Sequence, residues 1–141
     1  MTTIAYKDGI IACDSRTTAN SMIVTDNAQK RFIIEGVTFF IAGAPSDYSR
    51  FFDLYFGRST DAKNVDAVSF VVYSGVVYKA AVCPEVGFWK ECLRADLAYA
   101  IGSGTQYALA AMDMGATAAQ AVRQAMKRDV YTGGRIRTYK L

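Results

Sequence analysis

Residues 2–14, TTIAYKDGIIACD, contain two runs of apolar and β-branched residues separated by Lys7-Asp8-Gly9. Asp-Gly between two such runs is a strong signal for a tight two-residue turn. The stretch therefore predicts a β-hairpin whose strands cover residues 2–6 and 9–14.

The rest of the chain continues with further hairpins and with amphipathic segments. Glu35-Gly36 and Ser74-Gly75 separate two more pairs of apolar runs, and Pro45 suits the first turn of a helix. Thr117 and Gln120 have the spacing of a helix capping box. The predicted strands are 2–6, 9–14, 30–34, 37–42, 67–72, 76–82, 97–101 and 135–139, and the predicted helices run from Pro45 to Gly57, over 105–114 and from Thr117.

This order predicts one α+β domain over residues 1–141, with largely antiparallel sheets flanked by helices. The length of 141 residues suits one domain, and 52% hydrophobic against 21% charged residues is a globular composition. The net charge of +3 is small and scattered along the sequence. It predicts no clustered basic face of the kind that binds nucleic acid.

The absence of histidine excludes several kinds of site. With 0 histidines, the chain cannot form a Ser-His-Asp triad, a Cys-His dyad, a His-ligated zinc site or a His-ligated haem. Its 3 cysteines form no CxxC pair, and Cys13 lies in an apolar run that predicts burial. Acid–base chemistry near neutral pH must therefore use Asp, Glu, Lys, Cys, Tyr or an α-amine.

The sequence also contains no apolar run long enough to span a membrane. Its first residues lack a basic segment followed by an apolar one, so we expect no signal peptide and a cytoplasmic protein.

Two local features carry chemistry only in combination with others. Removal of Met1 would leave Thr2 with a hydroxyl and a free α-amine, and that amine can act as the base for its own hydroxyl. Gly102-Ser103-Gly104-Thr105 follows a predicted strand and opens a predicted helix, where backbone N–H groups can attract an anion. The third glycine of a dinucleotide-binding loop is replaced by Tyr107, and no Gly-Lys-Ser/Thr follows as in a phosphate-binding loop. A tight strand-to-helix turn is therefore the favoured interpretation of this segment.

A series of short motifs gives these features a context. In chain order they are TTIA at 2–5, KDGII at 7–11, DSRTT at 14–18, Lys30, AG at 42–43, AIGSGT at 100–105, YALAA at 107–111 and KRDVYTGG at 127–134. Together they resemble the proteasome β-subunit and HslV family of N-terminal-nucleophile (Ntn) hydrolases, in the compact form found in phages and bacteria. The resemblance covers nearly the whole chain. It implies a four-layer αββα sandwich of two antiparallel sheets, reduced in size.

The same resemblance implies roles for individual residues. Thr2 would be the nucleophile, and its α-amine, freed by removal of Met1, would be the general base. Lys30 would lie beside Thr2 as a cation, and Asp14 would pair with Lys30. The implied remaining roles are the Gly43 N–H as oxyanion donor, Ser103 or Thr105 as a hydrogen-bond partner of the Thr2 amine, Asp129 with Thr132 as orienting residues, and Thr18 as a partner of the substrate backbone.

The resemblance thus predicts a threonine-type endopeptidase acting on peptides or unfolded polypeptides. It implies a homo-oligomeric ring and leaves open an ATPase unfoldase partner; it requires no cofactor. A monovalent or divalent cation on backbone oxygens of Asp129 and Thr132 is also left open. Two alternatives remain at this point: a catalytically inactive structural or assembly protein with the same fold, encoded by a phage for example, and a small-molecule amidase.

Overall fold

The computed structural model describes residues 2–141. The predicted removal of Met1 concerns a residue outside that range. The chain divides into two compact units. The first comprises the described residues up to Lys30 together with Arg94–Leu141, and the second is Arg31–Leu93. Organisation as a single domain stays a prediction.

The predicted helices and strands occur in the predicted order, and the structure adds strands that the sequence did not predict. In chain order the elements are β1 (Thr3–Lys7), β2 (Ile10–Cys13), β3 (Thr17–Ala19), β4 (Met22–Thr25), β5 (Arg31–Ile34), β6 (Val37–Gly43), a 3-10 turn (Pro45–Asp47), α1 (Tyr48–Tyr55), β7 (Ala67–Tyr73), β8 (Val76–Cys83), β9 (Gly87–Cys92), β10 (Tyr99–Gly102), α2 (Thr105–Asp113), α3 (Ala118–Met126) and β11 (Arg137–Lys140). The added strands are β3, β4 and β9.

The first hairpin forms as its turn residues predict. Asp8 and Gly9 both adopt positive φ, at 52° and 74°. Strands β1 and β2 pair antiparallel on either side of them, with Ile4 opposite Cys13. The four-stranded sheet of the first unit has the order β10-β1-β2-β11, so the hairpin is its centre.

Helices α2 and α3 pack on this sheet through small side chains. Ala5 and Ala12 of the hairpin form one buried cluster with Ala108, Ala121 and Val122 of the helices. Because alanine adds little bulk, the helices can lie close to the sheet, where packing is dense. Thr117 caps α3 in a complete capping box with Gln120, which confirms the prediction from their spacing.

The second unit is a five-stranded antiparallel sheet with α1 on it. Its strand order is β5-β6-β7-β8-β9. Phe39 of β6 stacks against Phe51, Phe52 and Tyr55 of α1, with ring centroids 6.5, 4.7 and 5.0 Å away. Burying these aromatic rings supplies most of the apolar contact between helix and sheet. The α+β class and the antiparallel sheets are therefore confirmed, and the four-layer stacking stays a prediction.

Several boundaries differ from the sequence prediction. The hairpin of β3 and β4 was not predicted, because residues 17–25 are polar at one end and mostly exposed, which leaves no periodic signal. Strand β9 lies between the predicted strands 76–82 and 97–101, where no element was predicted, and the last strand begins at Arg137 instead of residue 135. Cys13 is buried, as predicted. Within residues 2–141, none of the helices has both the length and the apolarity needed to cross a membrane.

Candidate active site

Thr2 is enclosed directly before β1, an inner strand of the first sheet. The pairing of β1 with β10 places Thr3 opposite Gly102. Thr2 is only 1% exposed, and its hydroxyl is a buried side-chain oxygen with no hydrogen-bond partner among the described residues. A buried hydroxyl without a partner costs free energy.

Asp14 directly follows β2 and lies beside Thr3 at the open end of the β1–β2 hairpin. Its backbone N–H donates to the Thr3 carbonyl at 3.2 Å, continuing the ladder by one residue. Its carboxylate accepts N–H bonds from Thr3 at 3.3 Å, Gly133 at 3.0 Å and Arg16 at 3.4 Å. The side chain is fully buried. Backbone groups on three sides therefore hold the carboxylate in place.

Lys30 is the buried cation associated with Asp14. Its Nζ donates to the Arg16 carbonyl at 2.7 Å, and the residue is 6% exposed. Burial raises the pKa of Asp14 to about 6, against the opposing attraction of Lys30 and the three N–H bonds. Burial also lowers the pKa of Lys30, which the charges of Asp14 and Cys13 oppose. Burial thus disfavours the charged form of each group, and the opposite charge of the other group favours it.

Hydroxyl groups form a chain that ends on Asp129. The Thr132 hydroxyl donates to Asp129 Oδ2 at 2.6 Å and lies 2.6 Å from the Thr3 hydroxyl, which must then be the donor. Ser103 Oγ lies 2.6 Å from the same Oδ2 and 3.4 Å from the Thr2 carbonyl oxygen. The structure therefore brings Ser103, Asp129 and Thr132 together beside Thr2 and Thr3.

The other predicted site residues are placed as follows. Thr105 begins α2, and its hydroxyl donates to the Gly102 carbonyl at 2.7 Å, which closes the turn. Thr18 lies in β3, half-buried and opposite Ile23. Gly43 ends β6 in the second unit with φ of 130°, and a Cβ there would lie 2.2 Å from the Asp66 carbonyl oxygen. The oxyanion role of Gly43, the amine-binding role of Ser103 or Thr105 and the substrate-binding role of Thr18 stay predictions.

Sequence reasoning assigned no role to Thr3, Arg16 or Gly133. The Arg16 guanidinium pairs with Asp26 at 2.8 and 3.2 Å and donates to the Val130 carbonyl at 3.0 Å. A Cβ on Gly133 would lie 2.4 Å from that guanidinium carbon, so only glycine leaves room for it. The contacts of Arg16 with Val130 and Gly133 join residues more than 100 positions apart, and no local pattern signals them.

The turn at Asp129–Thr132 is the predicted cation site. The Asp129 carbonyl already accepts the Thr132 N–H at 3.1 Å, and the neighbouring Val130 carbonyl accepts the Arg16 guanidinium. A fixed positive charge this close repels a cation. The cation site on the backbone oxygens of Asp129 and Thr132 stays a prediction. Among residues 2–141, no three His, Cys, Asp or Glu side chains form a group that could hold a metal ion.

Gly102→Ala should displace Thr2 and destabilise the protein. A Cβ at Gly102 would lie 1.8 Å from the Thr2 carbonyl oxygen, and the φ of 98° adds strain. Gly115→Ala is the matched control, because its φ of 102° is similar but nothing lies within 4 Å of the new Cβ. Thermal unfolding should show a much larger loss for Gly102→Ala. Equal losses would mean that backbone strain alone matters and that Gly102 does not shape the position of Thr2.

Comparison with known proteins supports the fold. No family model matches the sequence, and no curated protein matches it. Among solved structures, BPH of Thiobacillus denitrificans in complex with epoxomicin matches with a TM-score of 0.71 and 18% identity, over 99% of this chain and 97% of that one. A second BPH structure gives 0.70 and 17%, over 99% and 96%. The eukaryotic HslV of Trypanosoma brucei gives 0.70 and 19%, over 98% and 97%. The chain is thus similar in fold to BPH and HslV over its whole length, and the predicted resemblance to the proteasome β and HslV fold is confirmed.

Proposed function

We propose that the protein is a threonine-type peptidase whose nucleophile is Thr2 after removal of Met1. The observation that carries this proposal is the buried, unpartnered hydroxyl of Thr2 in a hairpin whose other strand ends at the buried Asp14–Lys30 pair. The proteasome β and HslV fold supports the same assignment. A Thr nucleophile with its own α-amine as base also agrees with a chain that contains 0 histidines.

The reaction would be acyl transfer followed by hydrolysis. The α-amine of Thr2, with an ordinary pKa of about 7.7–8.0, takes the hydroxyl proton while the oxygen attacks the substrate carbonyl. The peptide C–N bond then breaks, and the leaving amine receives that proton. Water next attacks the acyl ester, which releases the carboxylic acid and restores the hydroxyl. Lys30 would keep the α-amine pKa low by its positive charge, and Asp14 would hold Lys30 in its charged form.

The other residues would position the reacting groups. The Ser103 hydroxyl lies 3.4 Å from the Thr2 carbonyl oxygen and 2.6 Å from Asp129 Oδ2, and these two residues are our candidates for orienting the amine of Thr2. The Gly43 N–H is our candidate donor to the oxyanion, a role typically worth about 10²–10³ in rate. Thr18 is our candidate for pairing with an extended substrate backbone. We further propose a homo-oligomeric ring and a cytoplasmic location; an ATPase unfoldase partner stays open.

Peptide hydrolysis should decline as the pH falls through about 6. Protonation of Asp14, whose pKa burial raises to about 6, removes the negative charge that stabilises the Lys30 cation. The profile of kcat/KM against pH, measured with a fluorogenic peptide, should show this acid limb in addition to the titration of the α-amine. A rate that stays constant from pH 7 to 5 would show that the charge of Asp14 is not needed.

The decisive experiment is to incubate the purified protein with epoxomicin and to measure the intact mass. Epoxomicin is bound in the matching BPH structure. We expect one adduct, carried only by chains that lack Met1, and no adduct on a Thr2→Val variant. Chains that lack Met1 yet form no adduct and cleave no peptide would overturn the peptidase proposal. Chains that retain Met1 in the native protein would instead favour the inactive structural role.

A further inference from the structure

Arg137 lies next to the candidate site without belonging to any motif. It is the first residue of β11 and lies opposite Cys13, the residue before Asp14. Its guanidinium donates from Nη1 to Ser15 Oγ at 2.6 Å and to the Ala28 carbonyl at 2.8 Å. Nη2 donates to Asn27 Oδ1 at 2.7 Å. One side chain thus holds two separate segments of the chain.

The two segments are the ones that carry the buried charged residues Asp14 and Lys30. Asp14 directly precedes Ser15, and Lys30 follows Ala28 by two residues. The segments are also joined by their backbones, because the Ala28 N–H donates to the Ser15 carbonyl at 2.8 Å. Ser15 Oγ in turn donates to the Arg135 carbonyl on the approach to β11. The guanidinium therefore lies at the junction that sets how far apart the two segments are.

We propose that Arg137 is a positioning residue that holds the segments carrying Asp14 and Lys30 close enough together for their buried charges to attract each other. As a role in catalysis, this inference rests on the proposed peptidase function. An arginine is needed because its planar fork reaches three acceptors on two segments at once, whereas a lysine ammonium is a point charge on a flexible stem. Lys30 reaches the Arg16 carbonyl at 2.7 Å only if residues 27–30 stay against residues 14–16.

The first test is kinetic. Arg137→Ala and Arg137→Lys should lower kcat by about 10–100-fold with KM nearly unchanged, because a small misplacement of a charged group near the reaction carries that cost. Millimolar guanidinium should restore part of the kcat of Arg137→Ala and none of that of Arg137→Lys. Arg135→Ala, which removes an exposed arginine two residues away, is the control and should keep the original kcat. An unchanged kcat in folded Arg137→Ala, or no rescue by guanidinium, would overturn the proposal.

The second test does not depend on activity. The pKa of the Asp14 carboxyl can be followed by 13C NMR in the unaltered protein and in Arg137→Lys, which keeps the total charge. Asp14 is faced by Lys30, by Arg16 and by the N–H groups of Thr3, Arg16 and Gly133. Loosening residues 27–30 weakens only the attraction of Lys30, so we expect the pKa to rise above its original value.

These two measurements separate the two proposals. An unaltered protein that cleaves nothing would sink the peptidase function, and a raised Asp14 pKa in Arg137→Lys would still establish the positioning role. An unchanged or lowered pKa in Arg137→Lys would overturn that role, whether or not the protein is active. Arg135→Ala, in which a distant charge is lost and the contacts remain, should leave the pKa of Asp14 as it is.

Discussion

Thr2→Val should abolish peptide hydrolysis and leave the protein at least as stable as before. Valine has nearly the shape of threonine, so the packing around a residue that is 1% exposed is kept. The hydroxyl that is lost has no partner among the described residues, and a buried unpaired polar group costs about 1–3 kcal/mol. Hydrolysis of a fluorogenic peptide should therefore be lost, whereas the thermal unfolding midpoint should rise or stay constant.

The neighbouring threonine provides the matched control. Thr3 is equally buried, but its hydroxyl donates to Thr132 at 2.6 Å. Thr3→Val should therefore lose about 1–3 kcal/mol in the free energy of unfolding, since it breaks a buried hydrogen bond. Hydrolysis that survives in Thr2→Val would exclude Thr2 as the nucleophile. A Thr2→Val protein less stable than Thr3→Val would show that the Thr2 hydroxyl has a structural partner.

Lys30→Met should abolish the proposed peptide hydrolysis and destabilise the fold by about 3–5 kcal/mol, because it leaves the buried charge of Asp14 without its partner. The affected charge is that of Asp14, whose pKa of about 6 would rise further once the attraction of Lys30 is lost. Methionine fills the volume of the lysine stem, so the loss would be electrostatic and not a packing defect. Chemical denaturation at pH 7 measures the free energy, and peptide hydrolysis measures the activity.

The raised pKa of Asp14 also predicts the direction in which stability changes with pH. A folded pKa of about 6 against an ordinary 3.8 means that the folded protein binds the Asp14 proton more tightly than the unfolded chain. Stability from this group is therefore greatest at low pH and declines as the pH rises through about 6. In Lys30→Met the decline should extend to higher pH, so lowering the pH from 8 to 5 should recover more stability than in the unaltered protein. Lys140→Met, at an exposed position of β11, should show neither effect. If the denaturation midpoint of Lys30→Met does not change with pH, the interaction of Lys30 with Asp14 is contradicted.

Local signals account for the elements that the sequence predicted correctly. The Asp8-Gly9 turn, the capping box of Thr117 and the apolar run around Cys13 each depend on residues within a few positions, and each is present in the structure. The exposed hairpin of β3 and β4 was missed because it has no buried face to impose a period of two. Strand order also needed the structure, since β11 pairs with β2 from the far end of the chain.

The candidate site shows the same division. The series of short motifs that includes Thr2, Asp14 and Lys30 pointed to a family resemblance, and the hairpin register places Asp14 against Thr3. The sequence did not reveal roles for Arg16, Gly133 and Arg137, because their partners lie far away in the sequence. The Arg16 guanidinium donates to the Val130 carbonyl, and the Arg137 guanidinium donates to the Ala28 carbonyl. No periodicity or propensity encodes such contacts.

Sequence alone therefore determined the hairpins with Asp-Gly, Glu-Gly and Ser-Gly turns, the cap of α3, the absence of histidine chemistry and the threonine near the start of the chain, because these follow from the conformational preferences and chemistry of neighbouring residues. Only the tertiary structure decided that the Thr2 hydroxyl is buried without a partner, that burial raises the pKa of Asp14 to about 6, and that Arg137 joins the segments carrying Asp14 and Lys30. Burial and long-range hydrogen bonds depend on which distant residues come together, and that is settled only when the whole unit packs.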